Sequence, residues 1–201
     1  MTHPWLEPIT LDGTVVRLEP MGIEHVEALV EVACEPSIWT WMLVELRTRD
    51  DVRSYVEAAV ANRAADVEMP FVTIDRASGR VVGSTRFMGI VPEHRRLEIG
   101  WTWIAPQWQR SAVNSEAKLL QLEHAFDRLG ARRVEFKTDA RNTRSRAALL
   151  GIGASFEGIL RAHMVTRDDG RRDSAYYSIL DDEWPRARAE LEARLASHAR
   201  A

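Results

Sequence analysis

The chain has one cysteine, Cys34, in 201 residues. A lone thiol cannot close an internal disulfide, and no Cys/His set with zinc-ligand spacing accompanies it, so neither a disulfide scaffold nor a metal site is expected. Long apolar runs are missing too. None approaches the ~20 residues that cross a bilayer, and residues 1–13 (MTHPWLEPITLDG) hold neither the basic nor the apolar region of a secretory signal. These absences lead us to expect a cytoplasmic protein in a reducing compartment, with no membrane partner. Excess charge of one sign is also lacking: 27 Lys+Arg against 30 Asp+Glu leave a formal net charge of -3, which gives no general attraction to a phosphate backbone and sets nucleic acid aside as a partner. Internal repeats, low-complexity tracts and linkers are absent, so residues 1–201 read as a single domain. The hydrophobic fraction of 45% is enough to close one sizeable core.

What is present alternates between two periods. Residues 14–20 (TVVRLEP) read as a strand, and residues 23–35 place Ile23, Val26, Leu29, Val30 and Ala33 on one helical face. Thr48 precedes a second helix over 49–65, with Asp50 and Asp51 suited to its first turn. Residues 71–75 and 81–90, joined by ASGR, form a hairpin pattern. Further strands are expected over 97–104, 133–138, 155–160 and 174–180, and further helices over 115–129, 142–150 and 182–199. The order implies a three-layer α/β (α+β) domain whose mixed, mostly antiparallel sheet of about seven strands is flanked by helices.

The strand over 97–104 runs through Ala105-Pro106 into a loop, residues 107–114, and then into a helix start. Free backbone N–H groups and a helix dipole face an anion at such a junction, and Arg110 adds a full charge. The segment LEIGWTWIAPQWQRSAVNSEAKLL resembles the core motif of GNAT acetyltransferases, where Q/R-x-x-G-x-G/A follows the fourth strand and wraps the pyrophosphate of acetyl-CoA; Gln109 takes its first position. The segment KTDARNTRSRAALLGIGASFEGILRAHM is similar to the asparagine-plus-serine region of the branch that acetylates N-terminal amines of ribosomal proteins. The resemblance extends from TLDGTVVRLEPM to DSAYYSIL. It departs from the motif at Ala112 and Asn114, which stand where glycine lets the backbone approach phosphate without a Cβ; alanine suits a helical first turn, and Asn114, Ser111 and Ser115 carry polar donors.

The resemblance implies an acetyl-CoA-dependent N-acetyltransferase with a GNAT-like fold, acting on a small-molecule amine or a protein N-terminus. Residues 109–115 (Gln109, Arg110, Ser111, Ala112, Val113, Asn114, Ser115) would then receive the cofactor phosphates, and the backbone of Trp101, Trp103 and Ile104 would polarise the thioester. Glu98, eleven residues before Gln109, matches the glutamate base of the family, with a solvated carboxylate paired to Arg95 or Arg96 as the plain alternative. Strict alternation would set Glu98 on one face with Gly100 and Thr102, opposite Ile99 and Trp101. The usual acid tyrosine is replaced by Leu149; in the N-terminal-amine branch Ser145, three residues after Asn142, takes the place, with Tyr176 and Tyr177 in reserve. Asn142 orders the pantetheine arm or caps a helix. The run Arg132, Arg133, Lys137, Arg141, Arg144 and Arg146 offers one or two residues for the 3′-phosphate. Trp39 and Trp41, with Met42, wall an amine pocket or pack in the core or at a homodimer contact. His25, His94, His124 and His163 show no triad or metal spacing. A second function class, a non-catalytic acyl-CoA-binding domain, is motivated by Ala112, Asn114 and Leu149.

Overall fold

A computed structural model describes residues 4–198. Its strands are β1 (Leu11–Asp12), β2 (Val16–Pro20), β3 (Met69–Asp75), β4 (Val81–Val91), β5 (Arg96–Ile104), β6 (Arg133–Asp139), β7 (Ser155–Val165) and β8 (Arg171–Leu180). They form one sheet in the order β1-β2-β3-β4-β5-β6-β8-β7. Only β5 and β6 run parallel; every other neighbour pair is antiparallel. The sheet has eight strands rather than seven because the two residues of β1, too few to show an alternation, pair with β2 at Leu11 and Asp12.

Helices α1 (Val26–Ala33) and α2 (Arg49–Ala64) cover one face, where Leu29, Trp39, Val56, Val72 and Trp103 form a buried cluster. Helices α3 (Ala112–Glu123) and α5 (Trp184–His198) cover the other, burying Leu97, Ile99, Leu122, Phe136, Tyr177 and Leu191, while α4 (Thr143–Leu150) inserts Leu149 at its edge. The helix expected over 182–199 begins at Trp184, and Ala199 lies outside the described residues. None of the described helices is long and apolar enough to cross a membrane.

Local chemistry sets these boundaries. Thr48 caps α2, its hydroxyl accepting from the Asp51 N–H at 3.1 Å while Asp51 reaches back. Helix α3 begins at Ala112, three residues earlier than expected, because Ser111 caps it by accepting from the Val113 N–H at 3.3 Å. It closes through a wider turn, Leu129 N–H to the His124 carbonyl at 3.0 Å, and Gly130 takes the left-handed φ of 66° that ends the element. From α3 the buried Glu116 reaches back to the start of β2. Its carboxylate accepts from the N–H groups of Thr14, Val15 and Val16 and from the Thr14 hydroxyl, at 2.6 to 3.0 Å.

One irregularity positions everything that follows. β5 and β6 pair at Arg96, Leu97 and Glu98 and then separate. On its other side β5 carries one extra residue between the pairs Ser84↔Trp103 and Arg86↔Gly100. Such a bulge bends a strand and re-aims its side chains. Trp101 sits in it at φ 50°, a left-handed conformation that costs a non-glycine residue ~1–2 kcal/mol. The Arg86 guanidinium holds the ring, lying 4.8 Å from Trp101 and 4.7 Å from Tyr55 while it pairs with the buried Glu68. Strict alternation therefore fails here. Trp101 packs with Trp103 on the α1–α2 face, and Thr102 turns its hydroxyl to Lys118 of α3, whereas Ile99 stays in the other cluster.

Candidate active site

Where β5 and β6 part, a cleft of about 160 Å³ opens, and the candidate residues collect in it from separate parts of the chain. β5 contributes Glu98 and Trp101, the start of α4 contributes Asn142 and Ser145, and the connection between α1 and α2 contributes Trp41 and Met42. Lys137 of β6 and Arg172 of β8 complete the polar wall.

Glu98 is 7% exposed. Its carboxylate accepts from Lys137 Nζ at 2.8 Å, not from Arg95 or Arg96; Arg96 pairs with Glu135 instead. Burial pushes the Glu98 carboxyl above the usual carboxylate range, and the Lys137 ammonium limits the rise by favouring the charged form. Gly100 leaves the carboxylate its place, because a Cβ at that position would stand 2.8 Å from Glu98 Oε1 and 2.7 Å from Met88 Sδ and would make the ends of those side chains shift. Asn142 caps α4, its side-chain oxygen accepting from the Ser145 N–H at 3.0 Å, which fixes Ser145 in the first turn facing the cleft.

Trp39 is not part of this wall. It is fully buried, its indole N–H donating to the Ala33 carbonyl at 2.7 Å and its ring 5.4 Å from that of Trp103, so its role is packing behind the cleft. Trp103 is likewise buried, its indole N–H donating to the Tyr55 hydroxyl at 3.4 Å, which leaves only its backbone for chemistry. Tyr177 is a core residue whose hydroxyl accepts from Arg146 Nε at 3.0 Å. Tyr176 lies across from Lys137 in the sheet, outside the cleft lining, and meets His163 at 3.4 Å. His163 bonds Ser174 at 3.1 Å through its other ring nitrogen.

The loop before α3 lies beside the same opening. Gln109 donates to the Ile104 carbonyl at 2.8 Å and accepts from Arg144 of α4 at 2.7 Å, tying the loop to both sides of the gap. The left-handed residue in this loop is Arg110, at φ 61°, one step after Gln109. Ala112 and Asn114, at the motif's glycine positions, are helical and carry no positive φ. The side chains of Val113 and Ser115 are buried, so the outward polar groups are the exposed Arg110 and Ser111 and the part-buried Asn114, together with backbone N–H groups of the first turn. Of the basic run, Arg133 is held by Glu135 and Glu157, Lys137 by Glu98, Arg141 by Asp139 and Arg146 by Tyr177. Arg132 and Arg144 are therefore the members not committed to a carboxylate or to the core.

Sequence reasoning missed Arg172 and the Glu98–Lys137 pair. Lys137 lies 39 positions from Glu98, and Arg172 sits in a charged GRRDS stretch that reads as solvated.

The acetyltransferase (GNAT) domain family matches residues 16–155. A curated relative, the uncharacterized N-acetyltransferase YoaA of Bacillus subtilis (strain 168), is 30% identical over 105 residues, covering 52% of this chain and 58% of that protein's length. Among solved structures, a GCN5-related N-acetyltransferase from Brucella melitensis is 33% identical, with a TM-score of 0.87 over 94% of this chain and 86% of the other. RimJ of Mycobacterium smegmatis, solved with CoA-disulfide, shares the fold at 23% identity, with a TM-score of 0.76 over 93% and 92% of the two chains. With the family matching well over half of its length, the chain belongs to the GNAT acetyltransferases.

Proposed function

We propose that this protein acetylates a primary amine by direct attack on acetyl-CoA, the co-substrate its family uses, with Glu98 as general base and Ser145 beside the departing sulfur. The observation that carries the reading is the convergence of Glu98, Asn142 and Ser145 on one cleft at the parting of β5 and β6. This cleft adjoins a capped helix start with an outward arginine, the arrangement that suits a pyrophosphate.

In this reading the amine nitrogen attacks the thioester carbonyl carbon, the C–N bond forms and the C–S bond breaks. Glu98 takes the amine proton, a task for which a carboxyl above its usual range is better matched near neutral pH than an ordinary one. The Ser145 hydroxyl donates to the thiolate. Beyond Glu98, β5 has no strand paired on its β6 side, so backbone N–H groups of residues 101–104 that face the gap serve the carbonyl oxygen. Arg110, Ser111 and the first-turn N–H groups of α3 hold the phosphates, and Trp41 and Trp101 flank the acceptor.

Thiol release with a panel of amines tests the assignment. Glu98→Gln should lower turnover by about 10²-fold or more with acetyl-CoA affinity unchanged, because shape is kept and the proton acceptor is lost. A variant as fast as wild type removes Glu98 from the mechanism.

A further inference from the structure

Among the described residues two arginines are buried, and they are treated differently. Arg86, 4% exposed, has the Glu68 carboxylate and the faces of Tyr55 and Trp101. Arg172, 7% exposed, has neither. Its Nε, like that of Arg86, makes no hydrogen bond, but for Arg172 no carboxylate among the described residues stands within ion-pair distance of the guanidinium either. The two nearby acids are already engaged. Asp139 is bonded by Arg141 through Nε and Nη2, at 3.0 and 2.9 Å, and Glu98 is held by Lys137. A guanidinium does not shed its proton, and a buried cation without a partner is strongly unfavourable, so the fold carries an unmatched positive charge here.

That charge is set where a ligand can reach it. Arg172 is a wall of the cleft that holds Glu98, and also of a larger basin of about 580 Å³ bounded by the α1–α2 connection and the β7–β8 turn. The other arginines around the basin are matched: Arg47 and Arg167 meet Glu45, and Arg141 meets Asp139. Arg172 is thus the one buried cation on this side left with unused donors, and its planar fork fits a carboxylate in a two-point grip.

We propose that Arg172 anchors a carboxylate of the acetyl acceptor, so that the substrate class is an amine carrying a carboxylate close to the reacting nitrogen. This rests on the transfer reading above: the amine lies at Glu98 and the anion at Arg172, on one continuous wall. The carboxylate has two possible sources, the α-carboxylate of a free amino acid or an acidic side chain next to a peptide N-terminus.

The test compares free L-amino acids with their α-carboxamides, and short peptides beginning Ser-Asp with those beginning Ser-Asn. Wild type should favour the carboxylate member of at least one pair by tenfold or more in kcat/KM, and the pair that shows it names the source. Arg172→Met should abolish that preference by raising KM for the carboxylate at least tenfold, leaving the amide's constants and the acetyl-CoA affinity unchanged; Arg172→Lys should recover part of it. Equal use of acid and amide by wild type overturns the proposal, as does an equal loss on both in the variant. A fall in acetyl-CoA affinity would assign Arg172 to the cofactor instead. If no amine releases thiol, the transfer reading fails by itself. Thermal shifts with N-acetyl-L-glutamate against its diamide then decide for Arg172, which requires an acid-only shift that Arg172→Met removes. Because the variant deletes an unmatched buried charge, its ligand-free melting temperature should not fall; a large fall would mark the side chain as structural and overturn the proposal.

Discussion

Between about pH 7 and pH 10 the wild-type protein should gain stability as pH rises, and replacing Lys118 by methionine should erase that rise. Lys118 is buried on α3, and its amine donates to Thr102, Gln121 and Thr85 at 2.8, 3.1 and 3.2 Å, all neutral oxygens. With no carboxylate beside it, burial brings its pKa from 10.5 down to about 7. A lysine with a lowered folded pKa holds fewer protons folded than unfolded across that window, so unfolding takes up a proton and stability climbs with pH. Below about 7 both states are protonated and the gain is absent. Each pH unit inside the window is worth up to about 1.4 kcal/mol, or about 2 kcal/mol between pH 8 and 9.5, and the whole shift amounts to about 5 kcal/mol.

Methionine fills the space without orphaning the neighbours. Thr102 and Thr85 are 2.8 Å apart, and Thr85 donates to Gln121 at 3.1 Å, so the hydroxyl chain closes on itself. Urea unfolding of both proteins at several pH values is the assay. The difference between them cancels what other groups contribute, among them Cys34 and Tyr176, both pushed upward by burial. Lys118→Met should be at least as stable as wild type at neutral pH, with the advantage shrinking as pH rises. A difference that stays constant from pH 7 to about 9.5 would refute the buried, uncompensated amine.

Other expectations follow from single contacts. Arg110→Gly relieves a left-handed backbone and should add up to about 1 kcal/mol of stability while weakening acetyl-CoA about tenfold; unchanged affinity would take Arg110 out of the phosphate site. Glu116→Ala leaves three backbone N–H groups without their acceptor, the one of Val16 buried and those of Thr14 and Val15 nearer water, and should cost about 2 kcal/mol in urea unfolding at constant slope, with Glu116→Gln in between; a loss under about 1 kcal/mol would mean water replaces the carboxylate. In the pH profile of kcat/KM, the rising limb set by Glu98 lies above the usual carboxylate range, and Lys137→Met should move it further up, since the ammonium is what restrains the rise. A limb that stays in place would separate the Lys137–Glu98 pair from catalysis.

Much of the fold was legible because periodicity is local. The Thr48 cap and the β3–β4 turn follow from a few adjacent residues, and Glu98, Asn142 and Ser145, picked out by motif spacing, line one cleft. What stayed hidden depends on distant or non-periodic causes. Trp39 and Trp41 look alike in the sequence, yet one is fully buried and the other lines the cleft, a distinction made by Tyr55 and Trp103 on other elements. At the bulge the positive φ falls on Trp101 and not on the neighbouring Gly100; its support is Arg86, fifteen residues earlier, with Glu68 behind. The helix expected from residue 115 begins at Ala112 because Ser111, just after the left-handed Arg110, caps it.

Among the described residues, the three pairs between β5 and β6 are the only strand ladder joining a five-stranded leaf, β1 to β5, to a three-stranded one of β6, β8 and β7. Glu98 and Trp101 belong to the first leaf, and Lys137, Ser145 and Arg172 to the second or to the helix attached to it. A molecule lodged in the gap adds contacts across a seam where the backbone stops supplying them, so occupancy and resistance to unfolding are thermodynamically one quantity. By mass action a ligand at about a hundred times its Kd adds about 2.7 kcal/mol. Amide hydrogens in the smaller leaf therefore report on substrate loading at a distance, through the frequency with which the seam opens.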